Sequence, residues 1–158
     1  MHIPVFERGI IPPDPVAPDS LKGIPRQKTN PSRWQGDNWQ DFVQDLRSRG
    51  VTVCESRADC SVFMTDAGGV AYGLSHGVVR PNSAEDISKV LKAAQTHRVP
   101  VTTRGGGLTT EGESVAFGGL LLDMSSMNRV LEINTDAMTV RTQAGIFWHQ
   151  LAEILRRD

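Results

Sequence analysis

The chain has 158 residues, a length that suits one ordinary domain with a single sizeable core. Its apolar content of 39% and charged content of 22% are typical of a globular protein in water, and no apolar run reaches the length of a membrane span. The net charge of -1 excludes a general electrostatic attraction to nucleic acid or to anionic membranes. The N-terminus lacks the basic-then-apolar layout of a secretory signal, so we expect a cytoplasmic protein.

Cysteine and histidine are sparse. Cys54 and Cys60 are too few for a disulfide scaffold and match no zinc spacing, so we interpret both as ordinary side chains in a reducing compartment. The histidines are scattered, with no carboxylate or cysteine at ligand spacing, and we predict no metal site.

Residues 1–34 are rich in proline, which cannot propagate a helix, and they carry little apolar material to bury. We therefore divide the chain into an extended arm at 1–34 and a folded unit at 35–158. Two interpretations of the arm stay open: it lies over the surface or a partner, or it is disordered.

Between the arm and residue 77 the pattern predicts one helix, one short strand and an irregular stretch. The helix is expected after Asp37, with Gly50 following its C-terminal end and an apolar stripe of Trp39, Phe42, Val43 and Leu46. The strand is expected at 51–54. Asp66 precedes a glycine pair, and we interpret it as a turn former rather than a catalytic acid.

Residues 78–103 carry the clearest pattern in the chain. A short strand at 78–79 ends before a proline, and Ser83 with Asp86 then forms the Ser-x-x-Asp capping box of a helix at 83–96. A second strand follows at 99–103. The helical crossover predicts a right-handed β-α-β unit whose two strands are parallel neighbours.

Three consecutive glycines follow Arg104, directly after the second strand. Glycine permits sharp turns and close approach of the backbone to a ligand, and successive N–H groups in such a turn suit an anion. Arg104 adds a charge, and Thr109 and Thr110 add hydroxyl donors, so we predict a cradle for the pyrophosphate of a dinucleotide. The loop is neither a Walker A loop nor a Rossmann fingerprint, because no Gly-Lys-Ser/Thr follows and Thr110 replaces the third glycine. The alternative is a flexible glycine-rich turn.

The remainder of the chain mixes strands and helix. A strand buried on both faces is predicted at 118–124, a hairpin at 130–133 and 138–142, and a helix at 147–157. We expect the apolar stripe of this helix, Trp148, Leu151, Ile154 and Leu155, to be core, and a cofactor contact of Trp148 is the alternative. These elements predict an α+β fold.

Five blocks in one order resemble the flavin domain of the FAD-linked oxidases, the p-cresol methylhydroxylase and vanillyl-alcohol oxidase type, which includes cytokinin dehydrogenases and glycolate-oxidase-like enzymes. The blocks lie at 65–69, 78–87, 99–107, 118–128 and 140–145. Phe147 and Trp148 ahead of an amphipathic helix resemble the cytokinin-dehydrogenase-like members in particular. The resemblance spans residues 41–158 and implies the α/β-like N-terminal lobe of that domain.

The resemblance implies that this chain binds FAD and that the loop at 103–113 wraps the FAD pyrophosphate. It implies cofactor contacts from Arg104, Gly105, Gly106, Gly107, Leu108, Thr109 and Glu113. A carboxylate at Glu113 would oppose a phosphate unless it faces the ribose or contributes only its backbone. Leu108 stands where some relatives carry the histidine that links covalently to the flavin, and a leucine forms no such bond. FAD is therefore expected to be non-covalent.

The activity implied is that of an FAD-dependent oxidoreductase, which accepts a hydride from an alcohol or amine carbon of a small-molecule substrate. The family's catalytic acid or base lies in segments beyond this part, so we assign no catalytic residue. We expect a lobe truncated at its C-terminus that needs its other half or a second chain. The alternative is a non-catalytic fragment with weak or no FAD binding. An unrelated phosphate-binding module explains the glycines but not the other blocks.

Overall fold

A computed structural model of the protein describes residues 36–157, so the arm predicted at 1–34 lies outside the described residues. The helices are α1 (Trp39–Ser48), α2 (Arg57–Ser61), α3 (Ala84–His97) and α4 (Trp148–Leu155). The strands are β1 (Gly77–Val79), β2 (Val101–Arg104), β3 (Leu120–Asp123), β4 (Val130–Asn134) and β5 (Thr139–Thr142), with a single 3-10 turn at Met124–Ser126. This mixture confirms the α+β fold class.

The three strands β1, β3 and β2 form a parallel sheet in that order, with β3 in the centre. The prediction that the strands flanking α3 are parallel is confirmed, but the prediction that they are neighbours is wrong. All four residues of β3 are buried, so this strand needs protein on both faces and on both edges. It takes the central position, where Leu121 pairs with both Val78 and Thr102.

Two apolar layers cover the sheet. Leu120 and Leu122 belong to the larger cluster, which they share with α1 and α3 through residues such as Phe42, Leu46 and Val90. Leu121 points to the opposite face and joins a smaller cluster with Cys60, Val78 and Ala116. This alternation follows from the period of two along a strand. None of the helices in residues 36–157 combines the length and the apolar character needed to cross a bilayer.

The predicted ends of α1 and α3 are confirmed, with small shifts. Gly50 follows α1 with a φ of 77°, whereas Asn38 rather than Asp37 precedes its first residue. The Ser83 hydroxyl accepts a hydrogen bond from the Asp86 amide at 3.1 Å. The Asp86 carboxylate returns to the amide of Asn82, one residue before the expected position, at 3.1 Å.

Three predictions fail outside the sheet. The stretch predicted to be irregular contains the short helix α2. The segment at 51–54 is no strand, because Cys54 alone forms an isolated antiparallel bridge with Val78. The stripe of α4 is only partly core: Leu151 is buried, but Trp148 is 84% exposed and Leu155 is 43% exposed. The apolar spacing of α4 predicts the helix correctly, yet in the described part of the chain no element packs over Trp148. The hairpin of β4 and β5 is confirmed.

Candidate functional site

The candidate site lies where the three parallel strands end. Arg104 is the last residue of β2 and pairs in register with Asp123, the last residue of β3, while Arg80 follows β1 directly. The glycine-rich loop therefore leaves the carboxyl edge of the sheet, which is the edge where open α/β sheets bind ligands. The predicted location of the loop at the end of a parallel strand is confirmed.

An ion pair links the residue that follows β1 to the last residue of β3 at this edge. Arg80 Nε donates to Asp123 Oδ2 at 2.6 Å, and Asp123 Oδ1 accepts the amide of Ser125 at 3.1 Å. The hydrogen bond to Asp123 raises the pKa of Arg80. Since both oxygens of the buried Asp123 are engaged, we assign this carboxylate to the structure of the edge. The Phe63 ring packs beside two guanidinium groups, 5.7 Å from that of Arg80 and 5.6 Å from that of Arg104.

The Arg104 side chain folds over the loop that follows it. Its Nη1 donates to the carbonyl of Thr65 at 2.9 Å. Gly107 has a φ of 68°, and a Cβ at this position would overlap the guanidinium of Arg104. The left-handed backbone favours glycine at 107, and a side chain there would also require the guanidinium of Arg104 to shift. Among the described residues, no carboxylate lies within ion-pair distance of Arg104.

A turn at 65–69 holds one side of the loop. The amide of Ala67 donates to the carbonyl of Gly107 at 2.9 Å, and the amide of Gly68 donates to the carbonyl of Thr109 at 3.2 Å. No cis peptide occurs in the described chain, and the C=O and the following N–H of a trans peptide point in opposite directions. The amides of Leu108 and Thr110 therefore both point away from the turn.

The buried carboxylate of Asp66 connects the turn to the loop. Its Oδ2 accepts the Thr109 hydroxyl at 2.7 Å and the Gly112 amide at 2.8 Å, and its Oδ1 accepts the Gly69 amide at 3.3 Å. Burial alone would raise the pKa of Asp66, but the hydrogen bonds from Thr109, Gly112, Gly69 and Gly68 outweigh burial and lower it. Sequence reasoning found the turn and missed these contacts, which no local pattern reports.

The remaining predicted residues have different surroundings. Leu108 is 68% exposed, and the Glu113 carboxylate accepts the amide of Glu111 at 3.3 Å. The predicted hydroxyl donor of Thr109 faces inward, to Asp66 and to Ser114 Oγ at 2.7 Å, so its proton is already engaged. Thr109 therefore presents only its backbone to a ligand.

The first two glycines of the triplet differ in the space around them. A Cβ at Gly106 would overlap the ring of Phe147, so this residue is a site of close packing between the loop and the segment that leads into α4. A Cβ at Gly105 would meet nothing nearer than the carbonyl oxygen of Ala144 at 3.7 Å. A Cβ at Gly105 would thus lie in ordinary van der Waals contact with this oxygen, and the fold tolerates a methyl group there.

Residues 75–158 match the protein family described as FAD binding domain. The match begins just before β1 and includes the whole glycine-rich loop. It leaves out the turn at 65–69.

The chain is also similar to named proteins. It is 40% identical over 86 residues to the mitochondrial D-lactate dehydrogenase [cytochrome] of Arabidopsis thaliana, which covers 54% of this chain and 15% of that protein. It is 34% identical over 122 residues to the D-2-hydroxyglutarate dehydrogenase of Escherichia coli (strain K12), covering 73% of this chain and 12% of that protein. The chain thus spans less than a fifth of the length of these two relatives.

Among solved structures, the fold is similar to that of 4-ethylphenol oxidase from Gulosibacter chungangensis, with a TM-score of 0.65 and 24% identity. The similarity covers 76% of this chain and 24% of that one. It shows the fold and agrees with the relatives found by sequence. The resemblance drawn from the sequence blocks is confirmed, and the chain belongs to the FAD-binding domain family of the FAD-linked oxidases.

Proposed function

We propose that this chain holds the pyrophosphate of non-covalently bound FAD in the loop at 103–113, as the N-terminal lobe of the flavin domain of an oxidoreductase. The observation that carries this proposal is that the Gly107 and Thr109 carbonyls both accept amides of the turn at 65–69, which directs the Leu108 and Thr110 amides away from that turn. Amides that point together from a glycine-rich bend at the carboxyl edge of a parallel sheet suit a diphosphate.

Arg104 supplies the charge that this site needs. Its guanidinium lies beside Gly107 and has no carboxylate partner among residues 36–157. A hydrogen bond from a guanidinium to a phosphate oxygen contributes about 1.5–3 kcal/mol, because the donor and the acceptor are both ionised. We infer that Arg104 turns part of its donor set toward the phosphate and keeps Nη1 on the Thr65 carbonyl.

The fit extends to the glycines. No neighbour of Gly105 comes closer to its Cβ position than van der Waals contact, whereas the Cβ positions of Gly106 and Gly107 are taken by Phe147 and Arg104. We therefore assign the direct ligand contact to Gly105 and to the amides that follow the triplet. Gly106 and Gly107 shape the loop. The exposed carboxylate of Glu113 is turned to the Glu111 amide, and we infer that Glu113 contributes backbone only.

The reaction that we propose is oxidation of an alcohol carbon. When bound, FAD supplies the acceptor for a hydride, and the protein supplies binding and electrostatics. The names of the two relatives specify D-lactate and D-2-hydroxyglutarate, which are both 2-hydroxy acids, so we favour an alcohol over an amine as the donor. The buried carboxylates at the sheet edge, Asp66 and Asp123, are occupied by hydrogen bonds. We therefore assign binding and orientation of the cofactor, rather than proton transfer, to this lobe.

Leu108 supports a non-covalent site. Its side chain is exposed beside the amide that we assign to the ligand, and it carries no nucleophilic atom. No bond to the isoalloxazine can form from this position. We infer that the affinity for FAD depends on hydrogen bonds and packing alone.

Titration of FAD fluorescence with the purified chain tests the proposal, with ADP as a competitor that shares the diphosphate. We expect saturable quenching that ADP reverses. The discriminating variant is Gly105→Ala, which the fold accommodates because nothing lies within 3.7 Å of the new Cβ. It should weaken FAD and ADP binding together by about tenfold while leaving the melting temperature unchanged, since a methyl group separates the backbone from the ligand.

Gly50→Ala is the control at a glycine outside the loop. Its Cβ meets nothing within 4 Å, and although alanine strains the left-handed backbone at this position, Gly50 follows α1 and does not belong to the loop. This variant should bind FAD as the unaltered chain does. If the unaltered chain leaves FAD fluorescence unchanged, or if Gly105→Ala binds as tightly as the control, the proposed site is wrong.

A further inference from the structure

We propose that Asp66 is a positioning residue for FAD binding: its carboxylate ties the turn at 65–69 to both arms of the loop and so fixes the direction of the Thr110 amide. This inference rests on the proposed function and deepens it. It concerns a residue to which we assign no contact with the cofactor, and which lies outside the part of the chain matched by the family.

Asp66 contacts the loop at two positions, one on each arm of the bend. Oδ2 receives two donors, the Thr109 hydroxyl at 2.7 Å and the Gly112 amide at 2.8 Å, which belong to positions three residues apart on the bend. One oxygen atom therefore draws both arms of the bend together. Oδ1 accepts the Gly69 amide at 3.3 Å, which fixes the carboxylate within its own turn.

The contacts of Thr109 fix the orientation of the backbone that follows it. Its hydroxyl lies 2.7 Å from Asp66 Oδ2 and 2.7 Å from Ser114 Oγ, so the side chain is held from two sides. The carbonyl of the same residue accepts the Gly68 amide at 3.2 Å. With the side chain and the carbonyl both fixed, the peptide plane between Thr109 and Thr110 has one orientation. The Thr110 amide then points away from the turn.

The close fit of turn and loop supports the same role. A Cβ at Gly68 would overlap the backbone of Thr110, so the two segments touch along their main chains. A carboxylate suits this position better than an amide would. Three donors converge on its two oxygens, whereas the Nδ2 group of an asparagine would direct its own hydrogens at one of these donors.

The experiment compares variants of Asp66 and Thr109 in the full chain, by FAD and ADP titration and by hydrogen exchange without ligand. We expect Asp66→Ala to raise the dissociation constants for FAD and ADP by about 10- to 100-fold, in line with the loss of hydrogen bonds to a charged group. Asp66→Asn should lie between Asp66→Ala and the unaltered chain. In the absence of ligand, amides at 105–113 should exchange faster in both variants, while those of α3 keep their protection.

If Asp66→Ala fails to fold, variants of Thr109 test the same positioning role. Thr109→Val removes the hydroxyl at nearly constant volume and should weaken FAD binding by about tenfold, whereas Thr109→Ser keeps the hydroxyl and should restore binding. Asp45→Asn is the matched control. Asp45 also forms side-chain hydrogen bonds, to Arg49 at 2.6 Å and to His97 at 3.2 Å, but it belongs to α1 and contacts the end of α3, not the loop.

The outcomes separate the two proposals. If the unaltered chain binds neither FAD nor ADP, the proposed function is wrong and the role of Asp66 falls with it. If the unaltered chain binds and Thr109→Val binds equally well, only the positioning role is refuted. Faster exchange spread evenly over the chain, rather than confined to 105–113, would also refute that role. Weaker binding by Thr109→Val, with recovery in Thr109→Ser, supports it.

Discussion

Replacing Gly107 with alanine should cost this protein more than the same change at Gly50. Both glycines have left-handed backbones, with φ of 68° and 77°, so alanine adds strain of about 1–2 kcal/mol at either position. At Gly50 the new Cβ meets nothing within 4 Å. At Gly107 it overlaps the end of the flexible Arg104 side chain, and we expect the guanidinium to shift and to release the Thr65 carbonyl that it holds at 2.9 Å.

The lost hydrogen bond sets the size of the difference. A hydrogen bond from a charged donor contributes about 1.5–3 kcal/mol, so with the strain Gly107→Ala should lower the free energy of unfolding by about 2.5–5 kcal/mol in total. Gly50→Ala should lower it by about 1–2 kcal/mol, the strain alone. Urea unfolding followed by tryptophan fluorescence measures both values. Titration with FAD on the same samples should show weaker binding for Gly107→Ala only.

Equal destabilisation by the two variants would refute this reasoning. It would mean that the Arg104 guanidinium moves aside at no cost, and that its bond to the Thr65 carbonyl contributes nothing to the loop. Equal affinity for FAD in the two variants would contradict the assignment of Arg104 and the loop backbone to the diphosphate. A third variant, Arg104→Met, separates these cases because it removes the guanidinium while leaving Gly107 in place.

Three further expectations follow from other parts of the molecule. The hydrogen bonds that lower the pKa of Asp66 stabilise the fold at pH values above the unfolded pKa of about 3.9. In urea titrations, the difference in unfolding free energy between the unaltered chain and Asp66→Asn should therefore be full at pH 7 and should fade as the pH falls below about 4. Acid precipitation of the FAD-loaded protein should leave all flavin in the supernatant. A yellow pellet would contradict the inference that FAD is bound non-covalently. Leu121→Ala should cost about 2–5 kcal/mol because this side chain is fully buried in the central strand, whereas Leu91→Ala, at a position 48% exposed, should cost far less by thermal unfolding.

Local patterns sufficed for the elements whose causes are local. Ser83 and Asp86 predict the start of α3 because a cap depends on residues three positions apart, and Gly50 marks the end of α1 because a left-handed residue is needed there. The glycine triplet likewise predicts where the backbone is able to turn. Each of these inferences uses neighbours in sequence, and each is confirmed by the structure.

Features that depend on competition between distant segments were not predictable in this way. The order of the sheet follows from β3, a fully buried strand, displacing the direct pairing of β1 with β2. The chain order alone favours that direct pairing, because consecutive parallel strands are usually neighbours. The exposure of Trp148 has the same kind of cause, since apolar spacing states which residues share a face but not what covers that face.

The conformation of the candidate loop depends both on its own residues and on distant segments of the chain. Its glycines permit many conformations, and an isolated chain of this composition would have no single one. The conformation comes from outside the loop, from Asp66 on one side, which lies 43 residues before Thr109, and from Phe147 on the other, whose ring lies against Gly106. The same glycines that let the backbone approach a diphosphate thus make the loop dependent on distant supports. Changes at Asp66 or Phe147 should therefore alter cofactor affinity even though neither position belongs to the glycine-rich motif.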